Sequence, residues 1–255
     1  MNEHIMDSYS DTNIVDPRWK DLYIVGGVCG ILMSVLTVLA IVIYFIWPYQ
    51  PGLTSPAGIF STIQNNPFNG LMSLDFLMVI ITFITIPFFL ALYVSTKHAN
   101  ESYALIALVF GLISCILAFG MRPIAEMFYL SSQYAAATTD VARNQYLAAG
   151  EALSALFNGT LWILYFFTYT VEYLTSSLLM LRTKAFSKTT AYLGIFLNIG
   201  LLSVLAVIIP NFASIFTILN LVTTFTWTIW LVLVARTFFQ LARRPAVKFA
   251  NLIAN

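Results

Sequence analysis

The sequence predicts an all-α protein: a polytopic bundle of six transmembrane helices with both termini in the cytoplasm. The first reason is composition, because 60% of the 255 residues are hydrophobic and 9% are charged, whereas a soluble domain carries about 25% charged residues. The second is a set of long apolar runs, and the third is an uneven distribution of lysine and arginine. This composition excludes a soluble globular enzyme, a disordered chain and a basic nucleic-acid-binding protein.

Six apolar runs have the length that a helix needs to cross a bilayer, which is about 20 residues. Their apolar residues are continuous rather than alternating, which favours helices over strands. The runs are 22–47, 71–95, 103–127, 153–181, 189–210 and 212–241. The chain therefore divides into an N-terminal tail (1–21), a six-span domain (22–241) and a basic C-terminal tail (242–255).

Lysine and arginine lie mostly on one predicted side of the membrane. With six spans, that side carries Arg18, Lys20, Lys97, Arg182, Lys184, Lys188, Arg236, Arg243, Arg244 and Lys248. The opposite side carries Arg122 and Arg143. Because loops rich in lysine and arginine stay in the cytoplasm, we expect both tails to be cytoplasmic and the protein to lie in the plasma membrane.

Two segments, 48–70 and 130–152, are then predicted to be external. In the first, Ser55 followed by Pro56 is typical of a helix N-cap with proline at the first helical position. Phe60, with Ile63 three residues later, suits a short helix lying in the membrane interface, and an ordinary connecting loop is the alternative. In the second, Thr139 is expected to cap a helix that begins at Asp140 and continues toward the fourth span, and a flexible loop is the alternative.

Catalytic motifs are scarce in this chain. The histidines, His4 and His98, lie in the N-terminal tail and a predicted cytoplasmic loop. The sequence has no zinc-protease, phosphate-loop or serine-hydrolase motif and no cysteine–histidine cluster. We therefore predict no catalytic residue, no metal site and no cofactor.

Glu172 is predicted to lie at the middle of the membrane. It precedes Arg182, at the basic boundary, by ten residues, which is about 15 Å at 1.5 Å per residue in a hydrocarbon layer about 30 Å thick. The same helix face carries Tyr165, Thr168, Tyr169 and Ser176. Ionisable residues at this depth are costly and often functional, so this face is expected to contact protein or water.

Asn198 and Trp227 are at matching depths in the fifth and sixth spans. One interpretation is a neutral Glu172 that accepts hydrogen bonds from tyrosine, asparagine or tryptophan donors and holds spans four to six in register. The other is a carboxyl group that binds a proton or a ligand. The candidates for such a pathway are Glu172, Tyr165, Tyr169, Asn198 and Trp227.

A second polar cluster is predicted near the outer surface. Arg122 and Glu126 are four residues apart, which places them on one face of a continuous helix, and Asp75 lies at a similar height in the second span. An ion network of these three residues is one interpretation. The other is an outward-facing pocket, with Glu151 nearby, in which Arg122 binds an anion or a lipid headgroup.

Three segments resemble a family of prokaryotic six-span membrane proteins that is grouped as a domain of unknown function. They are FGMRPIAEMFYLSSQY, SSLLMLRTKAFSKTTAYLGIFLNIG and TWTIWLVLVARTFFQLAR. The resemblance covers most of the six-span core. It implies a shared helical fold, and it supplies no known reaction or catalytic residue.

Three functions remain open from the sequence. The first is a non-enzymatic scaffold, lipid-interacting protein or accessory subunit, with membrane lipids and other membrane subunits as partners and no nucleic acid. The second is a small solute or proton-linked transporter or channel that uses Glu172. The third is an intramembrane enzyme acting on lipid through Asp75, Arg122 and Glu126. The scarcity of catalytic motifs favours the first.

Overall fold

A computed structural model describes residues 17–46, 55–157, 159–200 and 213–243. Within these ranges the protein is all-α and contains no strand. A single 3₁₀ turn, Pro17–Trp19, precedes the first α-helix. The α-helices, numbered in chain order, are α1 (Lys20–Ile46), α2 (Pro56–Asn65), α3 (Pro67–Ser73), α4 (Phe76–Thr96), α5 (Glu101–Gly120), α6 (Ile124–Ala136), α7 (Asp140–Phe157), α8 (Thr160–Arg182), α9 (Lys188–Leu197) and α10 (Ala213–Arg243).

Five helical stretches of the described chain are long and apolar enough to cross a membrane. They are Lys20–Ile43, Phe76–Thr96, Glu101–Ala136, Asp140–Arg182 and Leu221–Arg243. The predicted fifth run, 189–210, begins with α9, but its second half lies outside the described residues. So do residues 1–16 and 244–255 of the two tails and residues 48–54 of the first external segment.

The third predicted run, 103–127, lies within one apolar helical stretch, but its helix is interrupted near the outer end. Helix α5 ends at Gly120 and α6 begins at Ile124, with Arg122 and Pro123 in the connection between them. Proline has no backbone N–H to donate within a helix, and its ring clashes with the preceding turn. Pro123 therefore interrupts the helix and becomes the N-cap residue of α6.

Both predicted N-caps are confirmed. The hydroxyl of Ser55 accepts a hydrogen bond from the backbone N–H of Gly58 at 3.3 Å, and Pro56 opens α2. The hydroxyl of Thr139 accepts one from the N–H of Ala142 at 3.2 Å. Side-chain acceptors of this kind satisfy N–H groups that have no partner in the first turn of a helix.

The described chain forms two compact units, and the first comprises 17–34, 85–111, 170–200 and 213–243. Its core is aromatic: Trp230 lies 5.0 Å from Tyr173 and 6.0 Å from Phe88, measured between ring centroids. Helix α10 also packs closely on α1. A Cβ atom added to Gly30 would lie 3.0 Å from the Cβ of Ala235, so the absence of a side chain allows this approach.

The second unit comprises 35–46, 55–84, 112–157 and 159–169. Here α2, α3, α6 and α7 form what we call the four-helix layer. Its buried core residues are Ile59, Phe60, Ile63, Leu74 and Met127. The predicted short helix therefore forms, and its Phe60 and Ile63 pack against protein.

Candidate functional site

Asp75 and Arg122 form a partly buried ion pair in the second unit. The Nε and Nη2 atoms of Arg122 lie 2.9 Å and 2.8 Å from Oδ2 of Asp75. The third nitrogen, Nη1, donates a 2.6 Å hydrogen bond to the carbonyl of Ala118 in the last turn of α5. The side chain of Arg122 is 4% exposed and that of Asp75 is 28% exposed. The guanidinium thus neutralises the carboxylate and also satisfies a free carbonyl at a helix C-terminus.

The backbone of Asp75 is unusual. Its φ angle is +65°, in the left-handed region that non-glycine residues seldom occupy, although aspartate tolerates it better than most. Asp75 lies in the bend between α3 and α4, where its N–H bonds to the carbonyl of Met72 and its carbonyl accepts from the N–H of Met78. The bend places the carboxylate of Asp75 at the N-terminal end of α4, facing Arg122.

Glu126 and Glu151 do not join this pair within the described part of the chain. Both are exposed, Glu126 on α6 and Glu151 on α7. The predicted helix-face pairing of Arg122 with Glu126 is wrong because Pro123 breaks the helix between them. The three-residue ion network is therefore reduced to Asp75 and Arg122.

Tyr165 belongs to the surroundings of this ion pair, which sequence reasoning missed. Its phenol interacts electrostatically with both Arg122 and Asp75, and its ring lies 5.7 Å from that of Tyr169. A signal was present in the sequence, since Tyr165 is 17 residues before Arg182. That is about 25 Å along a helix, too far toward the opposite boundary for a midplane residue.

Glu172 is buried in the first unit, with 1% of its surface exposed. Its Oε1 atom accepts a 2.9 Å hydrogen bond from the hydroxyl of Ser176, one helical turn later. Its Oε2 atom is buried and has no hydrogen-bond partner in the described part of the chain. A Cβ added to Gly111 would lie 2.9 Å from Cγ of Glu172 and 2.8 Å from the ring of Phe89. Gly111 on α5 thus makes room for the side chain of Glu172.

The predicted partners of Glu172 bond elsewhere. Trp227 donates through Nε1 to the hydroxyl of Tyr173 at 3.2 Å. The amide nitrogen of Asn198 donates to the carbonyls of Gly194 and Ile195 in its own helix, at 2.9 Å and 3.5 Å. The expected hydrogen bonds from tyrosine, asparagine or tryptophan are therefore replaced by one from Ser176. Tyr173 follows Glu172 by about 100° around the helix, so Trp227 contacts a different face.

A second group of buried polar atoms lies at Gly194. Ser177 and Trp230 are both fully buried, and neither Oγ of Ser177 nor Nε1 of Trp230 has a hydrogen-bond partner in the described residues. Both atoms approach the position that a Cβ of Gly194 would occupy. Sequence reasoning did not identify this contact between α8, α9 and α10, because a glycine within an apolar run does not indicate which helix packs against it.

The described residues contain no group of three or more histidine, cysteine, aspartate or glutamate side chains that could hold a metal ion. Among the described residues, the polar groups in or beside the apolar helices include the Asp75–Arg122 ion pair, the carboxyl group of Glu172, and the side chains of Ser177, Tyr173 and Trp230. These features define a polytopic helical membrane protein.

The chain belongs to the family described as Domain of unknown function (DUF4386), whose model matches residues 22–235. That match covers every candidate residue named above. No curated protein and no solved structure matches the chain.

Proposed function

We propose that this protein is a non-enzymatic membrane protein of the plasma membrane that acts as a lipid-interacting scaffold or as an accessory subunit of a membrane assembly. The observation that carries the proposal is the closed Asp75–Arg122 pair. All three guanidinium nitrogens of Arg122 are engaged by Asp75 and Ala118. An enzyme acting on lipid through Arg122 would need that cation available to substrate, so the enzymatic alternative loses its central residue.

The four-helix layer supplies a surface for a partner. Its fold is held by polar contacts as well as its apolar core, because Gln64 donates to the carbonyl of Ser131 at 3.1 Å and Ser131 donates to the carbonyl of Phe60 at 3.2 Å. Most of α7 is exposed, and Val141 at its start is 71% exposed. A folded helical surface of this kind suits binding of another subunit.

Crosslinking in the native membrane tests this role. With a photoreactive amino acid in place of Val141, we expect one protein partner to be captured in stoichiometric yield and identified by mass spectrometry. The matched control is Ile116 on α5, an aliphatic residue that is 68% exposed within an apolar span, where lipid is the expected product. Equal recovery of lipid alone from both positions contradicts the subunit role.

The proposed topology has six spans with both termini in the cytoplasm. We expect a reporter fused after Asn255 to be active in the cytoplasm and one inserted near Asn65 to report the outside. The reason is that ten of the twelve lysine and arginine residues lie on one side of such a bundle. A C-terminal reporter that is active outside would refute the span count or the orientation.

Proton-linked transport is the second candidate function, and one observation favours it. Oε2 of Glu172 is buried without a partner in the described residues, so one oxygen of this carboxyl group remains available to a proton or a small solute. Glu172 is the residue proposed to carry this function, because Trp227 and Asn198 form their hydrogen bonds elsewhere.

Replacement of Glu172 by glutamine separates the two functions. Glutamine keeps the shape of the side chain and an oxygen that accepts from Ser176, so the free energy of unfolding should change by less than about 1 kcal/mol. Under the scaffold proposal, Glu172→Gln also leaves the capture of the partner unchanged. If wild-type proteoliposomes instead show proton-driven uptake that Glu172→Gln abolishes and Glu151→Gln preserves, the transport function replaces the scaffold.

A further inference from the structure

A cavity of about 310 Å³ lies beside α1 and α10 in the first unit. Its volume is within the range of small-molecule sites, which begins at about 300 Å³. One wall is apolar and the other carries two guanidinium groups and an amide. The lining residues are Ile31, Val232, Arg236, Phe239, Gln240 and Arg243.

Helices α1 and α10 run antiparallel, and the contacts between them show where the cavity lies along their length. Near the start of α1, a Cβ added to Gly27 would lie 2.8 Å from the ring of Phe239 near the end of α10. Further along α1, Ser34 donates to the carbonyl of Thr228 at 3.4 Å. The cavity is therefore at the end of the helix pair that contains the first turns of α1 and the last turns of α10, which is the basic side of the bundle.

The polar wall is a single helix face. Arg236, Gln240 and Arg243 are spaced four and three residues apart on α10, so they project in similar directions. All three are exposed. In the described part of the chain neither guanidinium has a hydrogen bond or an ion pair, and no carboxylate lines the cavity. This wall offers an uncompensated positive charge.

The apolar wall lies deeper along the same helices. Val232 precedes Arg236 by one turn, and it is 42% exposed, while Ile31 is 38% exposed. Both residues are within helical stretches that are apolar enough to cross a membrane. Arg236 and Arg243 are separated by about 10 Å along α10, and arginine side chains extend from such depths toward the membrane surface.

We propose that this cavity binds one anionic phospholipid, with its phosphate between Arg236 and Arg243 and an acyl chain along Ile31 and Val232. Guanidinium groups bind phosphate oxygens through paired hydrogen bonds, and apolar side chains exposed next to them match the hydrocarbon that adjoins a headgroup. Gln240 adds a donor between the two arginines. This inference deepens the lipid-interacting part of the proposed function and rests on it.

The test uses the full-length protein in nanodiscs of phosphatidylcholine with or without phosphatidylglycerol, followed by native mass spectrometry. We expect the wild type to retain one phosphatidylglycerol molecule and no phosphatidylcholine. The double variant Arg236→Gln/Arg243→Gln should bind phosphatidylglycerol roughly 25-fold more weakly, because each basic residue near an anionic lipid contributes about fivefold. Arg143→Gln, which removes an exposed arginine on α7, is the control and should not change retention.

Gln240→Glu keeps the test decisive if the double variant does not fold. It replaces an exposed residue and places a negative charge between the arginines, so phosphatidylglycerol retention should fall while unfolding in phosphatidylcholine is unchanged. Retention that is equal in the wild type, the double variant and Gln240→Glu overturns the lipid site. If the double variant instead retains phosphatidylglycerol like the wild type but no longer captures the protein crosslinked from position 141, the cavity binds an acidic protein segment and not a lipid. If the wild type captures a protein partner from position 141 but retains no phosphatidylglycerol, the lipid site is refuted and the proposed scaffold function still stands.

Discussion

Replacing Arg122 with alanine is expected to lower the free energy of unfolding by about 3 kcal/mol. Removal of one partner from a buried ion pair costs about 3–5 kcal/mol, because the other charge is left uncompensated. The lower end applies here since the side chain of Asp75 is 28% exposed and keeps some hydration. Loss of the bond from Nη1 to the carbonyl of Ala118 adds to the effect. Thermal or denaturant unfolding in detergent measures it.

A double-mutant cycle tests the cause of that loss. If the stranded carboxylate is responsible, Asp75→Ala added to Arg122→Ala should restore part of the stability, because no unpaired charge remains. Arg143→Ala is the matched control: Arg143 is exposed and donates to the carbonyl of Ala137 at 3.3 Å, so its removal should cost below about 1 kcal/mol. An Arg122→Ala protein that unfolds like the wild type but loses affinity for an anionic lipid would contradict the structural role. It would favour the outward-facing pocket in which Arg122 binds an anion.

The sequence was sufficient to predict those features that depend on residues close together in the chain. The N-caps at Ser55 and Thr139 required a side-chain oxygen and the next few residues, and both form as predicted. Apolar length alone located the spans that the structure describes. The pairing of Asp75 with Arg122 was also accessible, because the two residues lie at the same end of two spans that the sequence predicts to be antiparallel neighbours.

Inferences that assumed an unbroken helix or a particular facing residue were less successful. The spacing of Arg122 and Glu126 has meaning only within one helix, and Pro123 ends that continuity. Depth along a span placed Asn198 and Trp227 beside Glu172, but depth does not determine which face of a helix a neighbour contacts. Trp227 therefore bonds to Tyr173, and Glu172 bonds to Ser176. The close contacts at Gly111 and Gly194 also depend on which faces of neighbouring helices meet, and the sequence does not show this.

Gly194 is where we expect the second large effect. Helix α9 meets Ser177 of α8 and Trp230 of α10 at this glycine, and both side chains are fully buried. The Cβ of an alanine would overlap Oγ of Ser177 and would lie 2.7 Å from Nε1 of Trp230. Inserting a methyl group into such a contact forces the helices apart or the side chains out of their rotamers, which costs about 1–3 kcal/mol. Gly194→Ala should therefore unfold at a clearly lower temperature or denaturant concentration.

Gly120 provides the control, because it is also a helical glycine but a Cβ added there meets no atom within 4 Å. Gly120→Ala should be neutral or slightly stabilising, since alanine is a better helix former than glycine by up to about 1 kcal/mol. Adding Ser177→Ala to Gly194→Ala removes the overlapping hydroxyl and should restore part of the stability, while the contact with Trp230 remains. Equal stability of the Gly194→Ala and Gly120→Ala proteins would mean that α9 does not depend on this close approach to α8 and α10.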